Sequence, residues 1–109
     1  MQVVAMAGPA SRTVELRVRG ELDMASAPEL ASALDDLLAA DHRVVVLELA
    51  ELSFLDCAGM RPIRAGLVTL RSRGGTLVIR HPQPLVERAL RIAGLGDALE
   101  GGRRLLSSS

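Results

Sequence analysis

VVVL at residues 44–47 is the segment that indicates the fold class most strongly. It is apolar without interruption, which is typical of central strands that are buried on both faces and usually parallel. TLVIR at residues 76–80 is a second buried strand. Segments whose apolar side chains recur at helical spacing lie before, between and after these two strands. This alternation of strands and helices predicts an α/β layer structure whose later strands are parallel.

The segment before the central strand predicts an amphipathic helix over residues 27–40. Ser26 and Glu29 have the spacing of a capping box. Pro28 falls in the first turn, where its missing N–H group costs nothing. The apolar side chains at helical spacing are Leu30, Leu34, Leu37 and Leu38.

A second helix follows DCAG at residues 56–59 and ends at Gly74 and Gly75. Its apolar stripe consists of Met60, Ile63, Leu67 and Leu70. A proline in a helix interior removes a backbone hydrogen bond. Pro62 therefore predicts that regular helix begins near Arg61 or Pro62, or that the first turn is distorted.

Pro84 opens a third helix that ends near Ala93. Gly94 suits the left-handed position that ends many helices, and Leu95 can then contact Leu90, as the Schellman motif prefers. The residues that we expect to face inward are Leu85, Ala89 and Ile92.

The N-terminal part of the chain predicts a hairpin. TVELRVR at residues 13–19 alternates polar and apolar side chains, as a strand with one wet face does. A shorter strand at residues 3–6 is joined to it through Gly8 and Pro9. We therefore expect one α/β domain over residues 1–109, with a mixed, mostly parallel sheet of four or five strands. Its core spans about residues 3–99, and we expect a flexible tail at residues 100–109.

The amino-acid composition argues against several classes of function. Among 109 residues, 13 are basic and 13 acidic, so the chain lacks the basic excess typical of proteins that bind nucleic acid. No catalytic motif is present, and with one cysteine and two histidines no metal or cofactor is expected. No apolar run approaches the ~18 residues of a membrane span. We expect a cytoplasmic protein that is not an enzyme, inserts into no membrane and binds no nucleic acid.

LSFLDCAGM at residues 52–60 is the segment that suggests a function. A buried strand runs into a turn of small residues, and this turn opens the second helix. The free N–H groups and the dipole of a helix N-terminus favour negative charge, including a phosphate group. Every α/β protein has several such turns, so this geometry alone identifies nothing.

Three blocks together resemble the STAS domain family: GELD at residues 20–23, LSFLDCAG at 52–59 and RGG at 73–75. Within that family the chain resembles bacterial anti-sigma factor antagonists, from about residue 3 to residue 99. The resemblance implies a small α/β domain without enzymatic activity that binds an anti-sigma factor, commonly a serine kinase of the GHKL ATPase type. This binding frees the sigma factor, and phosphorylation of a Ser or Thr in a D-[ST]-x-G turn ends it.

The chain departs from this pattern at Cys57, which stands where the family has the phosphorylated hydroxyl. A serine kinase is not expected to phosphorylate a thiol, so the resemblance implies an antagonist without the standard phosphorylation switch. The residues that the resemblance assigns to the partner-binding surface are Asp23, Asp56, Cys57, Ala58, Gly59 and Met60. Asp23 is equally well explained as a turn residue, and the helical spacing of Met60 favours the core.

Other interpretations stay open. Cys57 is either a small side chain without special chemistry or a thiol sensor. A helix N-terminus would lower its pKa, whereas the adjacent Asp56 carboxylate would raise it. Stand-alone STAS proteins also serve as small subunits of lipid-trafficking ABC transporters, which is the alternative function. The sequence leaves open whether the protein is a monomer or a dimer.

Overall fold

A mixed sheet of five strands and three α-helices make up the protein in a computed structural model, which describes residues 1–7 and 12–100. The elements are β1 (Gln2–Ala7), β2 (Thr13–Leu22), α1 (Ala27–Ala39), β3 (Val44–Glu48), β4 (Leu52–Leu55), α2 (Cys57–Ser72), β5 (Thr76–Arg80) and α3 (Pro84–Ile92), followed by a 3-10 turn at Gly96–Ala98. This architecture confirms the predicted α/β fold. The expected turn at Gly8 and Pro9 and residues 101–109 of the expected flexible tail lie outside the described residues.

The strands are ordered β1-β2-β3-β5, and β4 pairs with the C-terminal half of β2. β1 and β2 are antiparallel, as the hairpin predicted, and the other pairs are parallel. The long strand β2 changes its partner at Gly20, where φ is +95° and the register shifts. The Gly20 N–H group donates to the backbone carbonyl oxygen of Glu51 at 3.0 Å. This switch aligns β4 with the end of β2, and β4 leads directly into α2.

One cluster of buried side chains joins the three helices to one face of the sheet. In β3, Val45 and Leu47 belong to this cluster, whereas Val46 does not. Val46 is nevertheless only 5% exposed. Arg80 on β5 reaches Glu15 on β2 at 3.8 Å, and this ion pair spans β3. The central strand is thus buried on both faces as predicted, but the second face is covered by charged side chains.

The capping of α1 and the start of α2 differ from the predictions, whereas α1 begins at Ala27 as predicted. Ser26 forms no capping hydrogen bond to α1, so the predicted capping box is wrong. Its hydroxyl instead lies 2.8 Å from the carbonyl oxygen of Glu21. Regular helix in α2 begins at Cys57 and not near Pro62. The Asp56 carboxylate caps the first turn, which therefore forms ahead of the proline. Pro62 removes the one hydrogen bond that would reach the carbonyl of Ala58.

α3 presents a different face to the core from the one predicted. Its buried residues are Val86 and Leu90, whereas Leu85 is 77% and Ile92 78% exposed. Ala89, the third residue predicted to face inward, is half-buried and packs against the core. Two apolar stripes run along this helix at equal helical spacing, and only one can face the sheet. The end of α3 is as predicted: the Leu95 N–H group donates to the Leu90 carbonyl at 2.9 Å, and both side chains are buried. This turn holds the face of α3 that carries Leu90 against the core.

Candidate functional site

The turn between β4 and α2 is built by Asp56. Its backbone is extended, and its carboxylate accepts the N–H group of Gly59 at 2.9 Å. Its carbonyl accepts the N–H group of Met60 at 3.1 Å, and its own N–H group donates to Leu22 at 3.3 Å. Asp56 therefore caps α2 and ties the cap to the end of β2.

Gly59 is required by this close approach. A Cβ atom at this position would lie 2.6 Å from the carbonyl oxygen of Leu22 and 2.9 Å from a methyl group of Leu55. Both distances are shorter than a van der Waals contact allows. The sequence predicted Gly59 as part of the site, and the structure shows that it seats the helix start against the sheet.

Asp23 shapes the loop that lies beside this turn. Its carboxylate accepts the N–H groups of Ala25 at 2.9 Å and of Ser26 at 3.0 Å. The hydrogen bond from the Ser26 N–H group stabilises the ionised form and thereby lowers the pKa of Asp23. Neither N–H group belongs to α1, so Asp23 holds the turn that precedes the helix, as its interpretation as a turn residue predicted. It follows Leu22, the residue that contacts both Asp56 and Gly59.

The six predicted site residues are thus gathered at one end of the sheet, but they are not equally accessible. Cys57 is exposed at the first position of α2. Asp23, Asp56 and Ala58 are half-buried. Gly59 is buried, and Met60 is only 6% exposed, in the core. The accessible surface, hereafter the Cys57 surface, consists of Asp23, Asp56, Cys57 and Ala58.

The Cys57 surface borders a groove between α2 and α3. Met60 and Ala89 line the groove, together with the exposed Ile92. Arg61 and Arg64 also line it, and the Arg64 guanidinium donates to the carbonyl of Ala93 at 2.6 Å. Sequence reasoning missed this groove because it placed Ile92 in the core. The contact between Leu90 and Leu95 was the signal that could have assigned the other face correctly.

The described residues hold no cluster of three or more histidine, cysteine or acidic side chains that could bind a metal ion. Within the same residues, no helix is both long enough and apolar enough to cross a membrane. The candidate site is a surface of small and acidic residues beside a groove that apolar side chains and two arginines line.

Known proteins resemble this chain in sequence and in structure. An anti-sigma-B factor antagonist of Listeria monocytogenes is 29% identical over 87 residues, which are 80% of this chain and 76% of that protein. The solved structure of the anti-sigma factor antagonist SpoIIAA in its unphosphorylated form superposes with a TM-score of 0.80 at 20% identity, covering 90% of this chain and 85% of that one. An anti-sigma factor antagonist from Mycobacterium paratuberculosis gives a TM-score of 0.76 at 21% identity, covering 91% and 84%.

The two structural likenesses demonstrate a shared fold. The family follows from the sequence, since the STAS domain model matches residues 8–105, nearly the whole chain. The turn that Asp56 caps and the residues around it lie within this match. The chain belongs to the STAS domain family.

Proposed function

We propose that this protein is an anti-sigma factor antagonist that binds its partner through the Cys57 surface. The observation that carries the proposal is the exposed side chain of Cys57 on a turn that Asp56 caps and Gly59 seats. The Listeria relative is named for the same activity. Binding needs no chemistry, since the surface competes for the anti-sigma factor by contact alone.

We further propose that the partner is a kinase of the GHKL type and that it cannot switch this antagonist off. A thiol at residue 57 keeps the size of serine but is no substrate for a serine kinase. The Asp56 cap depends on the backbone and on its own carboxylate, so exchange of the neighbouring side chain leaves the turn intact. The antagonist therefore stays in its binding state in the presence of ATP.

The experiment uses the purified chain and each kinase-type anti-sigma factor encoded in the genome of its source organism. Complex formation is measured with Mg-ADP and with Mg-ATP, and phosphate is located by mass spectrometry. We expect the wild-type protein to bind one of these kinases and to remain unmodified in both nucleotides. Cys57→Ser should gain phosphate at residue 57 and lose binding with Mg-ATP, because it restores the hydroxyl.

Cys57→Ala is the matched control, since it fills the same position without a hydroxyl or a thiol. It should bind as the wild type does and stay unmodified. Phosphate on residue 57 of the wild-type protein would refute the absence of the switch. Failure of the wild-type protein to bind any of these kinases in either nucleotide would refute the proposed antagonist function.

A further inference from the structure

The outer stripe of α3 is a feature of the surface that the fold leaves unexplained. Leu85, Ala89 and Ile92 recur at intervals of four and three residues, so they lie on one side of the helix. The stripe is about 10 Å long at 1.5 Å per residue. Leu85 and Ile92 are 77% and 78% exposed, which makes them two of the most exposed large apolar side chains among the described residues. Apolar side chains clustered in this way are typical of binding surfaces.

The stripe is continuous with the Cys57 surface. Ala89 and Ile92 line the same groove as Cys57 and Asp56. A partner that contacts Cys57 therefore lies next to the stripe without any change in the shape of either helix.

Positive charge borders the stripe on both sides. Arg88 lies on α3 one turn from Leu85 and from Ile92, while Arg61 and Arg64 lie across the groove on α2. All three arginines are exposed, and none forms an ion pair within residues 1–7 and 12–100.

The acidic side chains nearby are already engaged. Glu87 pairs with Arg91 at 3.3 Å, and the Asp56 carboxylate accepts the N–H group of Gly59. A second copy of this chain would bring arginines against arginines, so the charge disfavours self-association through this face.

We propose that the stripe and the groove bind an amphipathic helix of the anti-sigma factor, with its apolar face on Leu85, Ala89 and Ile92 and acidic residues opposite Arg61, Arg64 and Arg88. This inference rests on the proposed function and specifies the chemistry of the partner. An apolar helix face set into a groove is a common mode of peptide recognition. The stripe provides the apolar contact area, and the arginines set the orientation of the partner.

The test measures the dissociation constant for the anti-sigma factor that binds the wild-type chain, by calorimetry at two salt concentrations. The double variant Leu85→Ser/Ile92→Ser should weaken binding by about tenfold or more, as expected when central apolar contacts are lost. Both side chains are exposed, so the melting temperature should stay unchanged. Val4→Ser/Met6→Ser is the matched control on β1, where the two side chains are 42% and 44% exposed, and it should bind as the wild type does.

Charge reversal tests the acidic partner separately. Arg61→Glu/Arg88→Glu should weaken binding most at low salt, because opposite charges are then replaced by like charges. An unchanged constant in this variant would overturn the acidic character of the bound helix.

Ala58→Arg distinguishes the two proposals, since it blocks the Cys57 surface and leaves α3 intact. If Ala58→Arg abolishes binding while Leu85→Ser/Ile92→Ser stays within about twofold of wild type, the stripe is not a docking site and the proposed function stands. If the wild-type chain binds no anti-sigma factor, the proposed function fails and the docking inference fails with it.

Discussion

Gly59 illustrates how much of the site depends on single residues. It stands at the third position of α2, where an alanine would ordinarily favour the helix. The carbonyl of Leu22 and the side chain of Leu55 occupy the space that a methyl group would need. The glycine therefore serves packing, and it brings Cys57 to the end of β2.

We expect Gly59→Ala to lower the free energy of unfolding by about 2 kcal/mol or more, because overpacking forces backbone and side chains apart. Urea denaturation followed by circular dichroism would measure this change. Gly66→Ala in the same helix is the control: its Cβ would lie 3.3 Å from the end of the flexible Leu34 side chain. The control should stay within about 1 kcal/mol of wild type. Equal free energies of unfolding for the two variants would contradict the close packing at Gly59.

At the scale of the element, the helix ends explain which predictions succeeded. α3 ends in a Schellman motif in which Gly94 has φ +81°, and Leu95 closes on Leu90. Pairing Leu95 with Leu90 was predictable, because the motif has a local sequence signature. The start of α1 at Ala27, with Pro28 in its first turn, was predictable as well, whereas the capping hydrogen bond that the sequence assigned to Ser26 is absent.

The closing turn of α3 can be tested through its glycine. No atom lies within 4 Å of a Cβ built at Gly94. Gly94→Ala is therefore destabilising only because alanine must adopt a left-handed backbone conformation. We expect the free energy of unfolding to fall by about 1 kcal/mol. Gly96→Ala, where the added methyl group meets Arg91 at an ordinary 3.7 Å, should change it by less than about 0.5 kcal/mol. A loss at Gly96 as large as that at Gly94 would rule out backbone strain as the cause.

At the scale of the whole molecule, the sheet has two unlike faces. The face that carries Val45 packs on the helices, while the face that carries Val46 is covered by the ion pair of Arg80 and Glu15. A charged cover excludes water from a valine but provides fewer close contacts than a packed leucine core. Packing between the helices and one face of the sheet therefore provides most of the stabilisation of the interior.

The same substitution on the two faces measures this difference. We expect Val45→Ala to destabilise the protein by about 2–3 kcal/mol, since it leaves a cavity among packed side chains. Val46→Ala should destabilise it by about 1 kcal/mol, because the side chains of Arg80 and Glu15 can close over the smaller residue. The free energy of unfolding in urea gives both values, and equal losses would show that the charged cover packs as tightly as the helices.

Sequence patterns alone predicted the strands, the three helices and the small-residue turn with a thiol at residue 57. These features follow from local periodicity and from motifs that are short along the chain. Only the folded structure shows which stripe of α3 is buried and why residue 59 must be glycine. Each of these depends on an approach between segments that are distant in sequence or on a choice between faces of equal hydrophobicity. Local spacing carries no information about either.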